Sequence, residues 1–222
     1  MTKAQVKRHL KKILAIFYRI GLHNRDFTIL SNNCWGGMVY DRYALQYRTP
    51  TIGLWMLPKD FIKFLSNIDF YLNLELKQIS YKEFHGVDLL IERKKSGRYT
   101  FELDDMIIGR LGDVDIVFLH YSSFADACLK WNKRKQRINR QNLIIKFNDQ
   151  NGCTSDDFNE FQKLSYENKL FFTSNSKYIG LQNVMFFSKY KHFGYVYNDT
   201  HLNDCPLNIK KYLNDIIQKK GN

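Results

Sequence analysis

Apolar residues fall along the chain in short runs of two kinds. Phe27-Thr-Ile-Leu-Ser31, Asp113-Val-Asp-Ile-Val-Phe-Leu119, Asn142-Leu-Ile-Ile-Lys-Phe147 and Lys169-Leu-Phe-Phe-Thr173 are nearly continuous and of strand length, as expected of strands covered on both faces. Between them apolar positions recur every three or four residues, the period of a helix with one buried side. Gly36 to Tyr47 fits a helix entered through Asn-Cys-Trp-Gly-Gly, and Thr49 to Met56 reads as extended. Pro58 to Leu65 has proline in its first turn and Phe61, Ile62, Phe64 and Leu65 on one face. Phe124 to Arg137 follows Ser122-Ser123 and turns Phe124, Ala127, Cys128 and Trp131 inward. Thr154 or Ser155 caps a further helix through Leu164, and a last one lies near Leu207 to Lys219.

Two β-prone runs in the middle, Val87 to Glu92 and Tyr99 to Leu103, flank Lys94-Lys-Ser-Gly97. The region of about 85–105 is therefore expected as an inserted hairpin. Strands alternating with helices predict an α/β fold: a three-layer α/β/α domain whose mixed sheet is mostly parallel, with that β-hairpin insertion. With three prolines, twelve glycines and no internal repeat in 222 residues, one domain over 1–222 is the expectation.

Val6, Leu10, Ile13, Leu14 and Phe17 form an apolar stripe opposite Lys3, Lys7, Arg8 and Lys11, so about 3–20 reads as a basic amphipathic helix. Such a stripe either docks on the domain or lies on an anionic bilayer. Its apolar core, Ile13 to Phe17, is too short for a cleavable signal or a membrane span.

Charge narrows the partners. Thirty-four Lys and Arg against 22 Asp and Glu give +12, which favours a phosphorylated substrate, an acidic membrane surface or nucleic acid. Nucleic acid is disfavoured because no helix-turn-helix, RNA-recognition or zinc-finger pattern accompanies the charge. No GxxxxGK[ST] or GxGxxG loop occurs, which argues against a Walker ATPase and a Rossmann dehydrogenase. Cysteines at 34, 128, 153 and 205 show no CxxC pair, as suits a reducing cytoplasm. The six histidines lack HxH, HxxxH or HExxH spacing, so no metal ligand set and no cofactor is evident.

Open α/β sheets deliver reactive groups to their carboxyl edge. By that rule Cys34, His120 and Asp149 emerge there from separate strands. A cysteine at a helix start has its thiolate stabilised by the dipole and by free N–H groups. With His120 as base and Asp149 orienting it, the three suit acyl transfer. The competing reading makes Cys34 a small packed residue, His120 a partner of a nearby carbonyl and Asp149 a turn former. Asn32, Asn33, Trp35, Gly36 and Gly37 share the Cys34 turn and are candidate substrate contacts. Lys130 to Arg140 holds six basic residues. Among them Arg134 and Arg137 could grip a diphosphate, although a solvated basic face has the same pattern.

Several of these segments occur in a recognisable order: Ser31-Asn-Asn-Cys-Trp-Gly-Gly37, Thr49-Pro-Thr-Ile-Gly-Leu54, Phe118-Leu-His-Tyr121 and Trp131-Asn-Lys-Arg-Lys-Gln-Arg-Ile138. Together with Asn142 to Phe147 and Lys169 to Thr173 they resemble the bacterial domain of unknown function 1919, over about 20–185. The resemblance implies an α/β/α domain with a mixed sheet and a place in exopolysaccharide or capsular polysaccharide biosynthesis. It implies neither a mechanism nor a catalytic residue, and Leu89 to Asp105 departs from the family's spacing as an insertion.

The resulting expectation is a cytoplasmic transferase of surface-polysaccharide assembly, peripheral at the inner face of the membrane. It would be an acyltransferase acting on a nucleotide- or lipid-linked glycan, with Cys34 as nucleophile and His120 as base. The alternatives are a glycosyltransferase of the same pathway and a non-catalytic scaffold that binds a glycan or nucleotide. For the glycosyltransferase, Asp113-Val-Asp115 has the DxD form but lies at the start of its strand.

Overall fold

A computed structural model describes residues 13–97, 100 and 102–216. Helix α1 (13–19) is followed by β1 (Thr28–Ser31), α2 (Trp35–Arg42), β2 (Leu54–Trp55), α3 (Pro58–Ser66), α4 (Ile68–Asn73) and β3 (Lys77–Ile79). Next come α5 (Val87–Lys95), the pair β4 (Ile107–Leu111) and β5 (Val114–Phe118), α6 (Phe124–Lys135) and β6 (Leu143–Asn148). The chain continues through α7 (Ser155–Lys163), β7 (Asn168–Thr173), β8 (Val184–Phe186) and α8 (Ile209–Asp215).

The fold is α/β, and its strands form two four-stranded sheets: β1-β6-β7-β8, wholly parallel, and β2-β5-β4-β3, wholly antiparallel. The seam lies beside β1. There the Thr51 hydroxyl, not a carbonyl, accepts the Ser31 N–H at 3.2 Å, and Met56 N–H donates to the Asn32 carbonyl at 3.0 Å. A threonine side chain thus occupies a ladder position, so the expected mixed sheet divides in two.

Alternation along the parallel strands sends side chains to both faces. Leu30, Ile145, Phe147 and Phe171 meet Phe61 and Phe64 of α3, Trp131 of α6, Phe158 and Phe161 of α7, and Ile116 and Phe118 of the second sheet. Ile29, Ile144, Leu170 and Phe172 face Trp35, Val39 and Tyr40 of α2 and Ile209 and Leu213 of α8. Covered on both sides, these strands have to be apolar throughout.

Helix ends follow their sequence signals. Pro58 opens α3, the Ser123 hydroxyl accepts from Asp126 N–H at 3.1 Å, and Thr154 and Asp157 cap α7 reciprocally. The helix expected over Gly36 to Tyr47 is shorter, ending at Arg42, with Ala44 in the left-handed region at φ 47°.

The expected hairpin over 85–105 is not formed by the described residues: Val87–Lys95 is helical and Leu103–Asp105 makes a 310 turn, while Tyr99 and Phe101 lie outside the described residues. Helix wins because Leu90 buries against Trp55 and Phe84, Asp88 sits in the first turn, and Arg93, Lys94 and Lys95 sit in the last. The hairpin is β4–β5, closed by Gly112-Asp113 with Gly112 at φ 60°.

Of the expected amino-terminal helix, 1–12 lie outside the described residues. Within α1 only Ala15 is buried, whereas Ile13, Leu14 and Phe17 are 40%, 54% and 63% exposed. The docking reading of that stripe therefore fails over these three residues. No helix among the described residues is long and apolar enough to cross a membrane.

Candidate functional site

Residues 31–34 leave β1 and enter α2 through a buried polar network. Lys146 of β6, fully inaccessible to solvent, forms an ion pair with Asp199 and donates to Asn33 Oδ1 at 3.0 Å. Asn33 Nδ2 donates to both oxygens of Asp199, at 2.8 and 3.1 Å, and Asn33 Oδ1 also accepts from Trp35 N–H at 3.1 Å. Asn148 Nδ2 reaches Asp199 Oδ2 at 2.9 Å, and Asn32 pairs with Asn148 through Nδ2 to Oδ1 at 2.9 Å. Burial pulls the Lys146 pKa down, while the Asp199 charge opposes it. Asn32 and Asn33 thus bind β1, β6 and the 199 loop together. Their amides are spent on the protein itself.

Trp35, Gly36 and Gly37 serve packing. Trp35 is buried edge-on to Phe172, and a Cβ on Gly36 would lie 3.0 Å from Ile29 Cγ2. On Gly37 it would lie 3.6 Å from Ile52.

The structure does not join Cys34, His120 and Asp149 into a catalytic array. The Cys34 thiol contacts the Leu54 carbonyl at 3.8 Å. Burial, with the Asp199 charge adding and Lys146 opposing, pushes it up to about 11, so it is a neutral thiol near pH 7. His120 is exposed beside Gly53 after β5, in the antiparallel sheet, and hydrogen-bonds to neither of the others. Asp149 accepts from Val196 N–H at 2.7 Å, Thr173 Oγ1 at 2.7 Å and Ser174 N–H at 3.1 Å. Both its oxygens are committed to holding loops on the ends of β6 and β7.

The basic helix is likewise engaged. Arg134 donates to the Tyr121 hydroxyl at 2.8 Å and lies 5.0 Å above the Tyr47 ring, and Arg137 reaches the Tyr47 carbonyl at 3.5 Å. Neither is arranged as half of a diphosphate clamp. In the DxD-like pair, Asp113 accepts from Lys63 and Tyr71, both at 2.9 Å, while Asp115 is held by Arg110.

What does open at the parallel sheet's carboxyl edge is a crevice of about 990 Å³. It is lined by Asp149, Phe171 and Asn175, by Leu89, Glu92 and Arg93 of α5, and by Tyr195 and Tyr197. The loop 151–154 and the start of α7 form its rim, with Lys177 and Tyr178 beside them. Asn151 and Gly152 both have positive φ, 63° and 78°, and a Cβ on Gly152 would meet nothing within 4 Å. Arg93 donates to Asn151 Oδ1 and stacks 5.1 Å above Trp55. Lys177 donates to Ser155 Oγ at 2.6 Å. Gln150 holds the Val196 and Tyr197 carbonyls at 2.6 and 2.7 Å, and the Tyr197 ring stacks on Phe193 at 5.0 Å.

The Asn151–Gly152 turn also borders a second cavity of about 310 Å³, lined by Pro58, Asp60, Lys63 and His85. Arg93, Asn175, Lys177, Tyr195, Tyr197 and His85 went unmarked in the sequence because they form no motif. The only local signals were Asn151-Gly152, a turn dipeptide at a strand end, and the alternation Tyr195-Val-Tyr197.

Fold and crevice together define an open-sheet α/β protein with a crevice where its parallel strands end. Comparison supplies the family: the model of a domain of unknown function, DUF1919, matches residues 5–218, and the chain belongs to that family. A protein of Haemophilus influenzae described as uncharacterized is 31% identical over 152 residues, covering 68% of this chain and 64% of that protein.

Proposed function

We propose that the protein is a transferase of surface-polysaccharide assembly that holds a nucleotide- or lipid-linked glycan in the crevice at the ends of β6 and β7. The observation that carries this reading is the lining. Tyr195 and Tyr197 line the crevice together with Asn151, Asn175, Glu92, Arg93 and Lys177. Sugars present just this division, with C–H faces that stack on aromatic rings and hydroxyls that pair with amides and charged groups. Lys177, exposed at the crevice rim, adds a cation for a carrier's phosphates, and the pathway is the one the family resemblance implies. The neutral thiol of Cys34 favours direct transfer to or from a sugar hydroxyl over a cysteinyl intermediate.

A second reading is a non-catalytic glycan-binding scaffold. Its support is Asp149, the half-buried carboxylate that lines the crevice, whose oxygens are consumed by structural hydrogen bonds. Under either reading the protein works in the cytoplasm, peripheral to the inner leaflet where lipid-linked sugars lie.

Ligand-observed NMR with a panel of nucleoside-diphosphate sugars tests the crevice. Binding is expected, weakened about tenfold or more by Lys177→Ala and by Tyr195→Ala. If no sugar nucleotide binds, or neither substitution matters, the crevice is not the glycan site. Hydrolysis or transfer of the bound sugar separates enzyme from scaffold.

A further inference from the structure

Asp60 on α3 and His85 in the loop before α5 line the smaller cavity, and Asp115 on β5 lies buried against both. One ligand atom from each lies within 4.8 Å of the others. His85 Nδ1 stands 3.2 Å from Asp115 Oδ2 and 3.5 Å from Asp60 Oδ1. An imidazole nitrogen has at most one proton, so it cannot donate well to both carboxylates at those distances. The same distances fit a shared ion. Ligands at about 2.1 Å from a first-row metal lie about 3.0–3.4 Å apart in octahedral or tetrahedral geometry.

An independent observation points the same way. Asp60 Oδ2 is buried and accepts no hydrogen bond, in a side chain only 6% exposed. A buried, unpartnered carboxylate oxygen is costly unless a proton or a cation meets it. Asp115 is oriented from behind. Arg110 Nε and Nη2 hold its two oxygens at 2.6 and 2.9 Å, and the His85 backbone N–H donates to Oδ2 at 3.0 Å. Asp60, with its free oxygen, is therefore the principal carboxylate ligand, and Arg110 plays the outer-shell role that fixes a ligand's direction.

We propose that Asp60, His85 and Asp115 form a binding site for one divalent first-row metal ion, with its remaining coordination positions open to the 310 Å³ cavity. Two carboxylates and an imidazole without thiolate suit Mn²⁺ or Zn²⁺. That cavity meets the larger crevice at Asn151–Gly152. An ion here sits where it can polarise a hydroxyl or a phosphate of a bound substrate, a role that rests on the glycan reading above, whereas ion binding itself does not.

Chelator-treated full-length protein titrated calorimetrically with Mn²⁺ and with Zn²⁺ is the test, with no sugar present. One ion per chain is expected to bind and to raise the melting temperature. In Asp60→Asn, which keeps the side-chain shape, and His85→Gln, at a half-exposed position, affinity should fall at least about tenfold and the thermal shift should vanish. Co²⁺ substitution adds a visible spectrum that reports nitrogen and oxygen coordination and changes in His85→Gln. Absence of binding up to about 1 mM, or affinity unchanged in both variants, overturns the site. Because the readout is metal alone, a failed glycan experiment leaves this result standing, and the reverse holds as well.

Discussion

Lys146 explains how much of the site was legible at the level of single residues. In the sequence it interrupts Asn142-Leu-Ile-Ile-Lys-Phe147, where a strand covered on both faces should be apolar. Its partner Asp199 lies 53 residues further on, in a stretch with no periodic pattern, so nothing local announces the pair. The Ser31-to-Gly37 segment did announce itself, and its amides are engaged within the protein, Asn33 by Lys146 and Asp199 and Asn32 by Asn148. A cysteine at a helix start reads as an activated nucleophile only while its surroundings are unknown; burial reverses the inference by raising its pKa. The network makes a sharp prediction. Asp199→Ala strands a buried ammonium and leaves Asn33 and Asn148 without their acceptor, a loss of roughly 3–5 kcal/mol. Lys146→Met with Asp199→Leu removes both charges and should cost clearly less than Asp199→Ala alone. Urea denaturation of the two variants checks the order; equal losses would mean that the pair is not a coupled buried charge.

At the level of elements, the signals that succeeded were those carried by capping chemistry and by two-sided burial. α3, α6 and α7 begin at the proline, serine and threonine that mark them, and β1, β5, β6 and β7 occupy the continuous apolar runs. α5 failed because Val87-Asp-Leu-Leu-Ile91 suits either period over so few residues, and the choice is made by Leu90 meeting Trp55 and Phe84 from elsewhere in the chain. β8, three residues long and paired only to β7, lies below the length at which alternation can be read. That mistaken element mattered for the site, since α5 lines the crevice. The start of α7 forms part of the rim, and its cap can be tested directly. Thr154 Oγ1 accepts Asp157 N–H at 3.2 Å, and Asp157 Oδ2 accepts Thr154 N–H at 2.8 Å. Thr154→Ala should lower stability by about 1 kcal/mol and Thr154→Ser by only a few tenths. Thermal melts of the two variants distinguish loss of the cap from loss of the threonine methyl; equal effects would assign the loss to packing.

Across the whole molecule, the two sheets share one core between them and turn their other faces to separate sets of helices, leaving α1 with only Ala15 buried. Its Ile13, Leu14, Ile16 and Phe17, with Ile20 just beyond it, are 40–65% exposed, an apolar group on a chain of net charge +12. Lys210 Nζ donates to the Ile20 carbonyl at 2.9 Å and Asn214 to the Gly21 carbonyl at 2.8 Å, so α8 anchors the end of this segment while its apolar side chains stay outside. Apolar insertion and attraction of roughly 1 kcal/mol per basic residue near an anionic surface act together on such a surface, and neither suffices alone. The expected behaviour is therefore cosedimentation with phosphatidylglycerol vesicles at low salt, weakening as salt rises, and little association with neutral phosphatidylcholine. Phe17→Ser combined with Ile20→Ser should abolish the association without lowering the melting temperature, because both side chains are more than half exposed. Equal binding to neutral vesicles would remove the electrostatic half of the argument. Undiminished binding by the double variant would remove α1 from it and leave the protein's charge to act through another face.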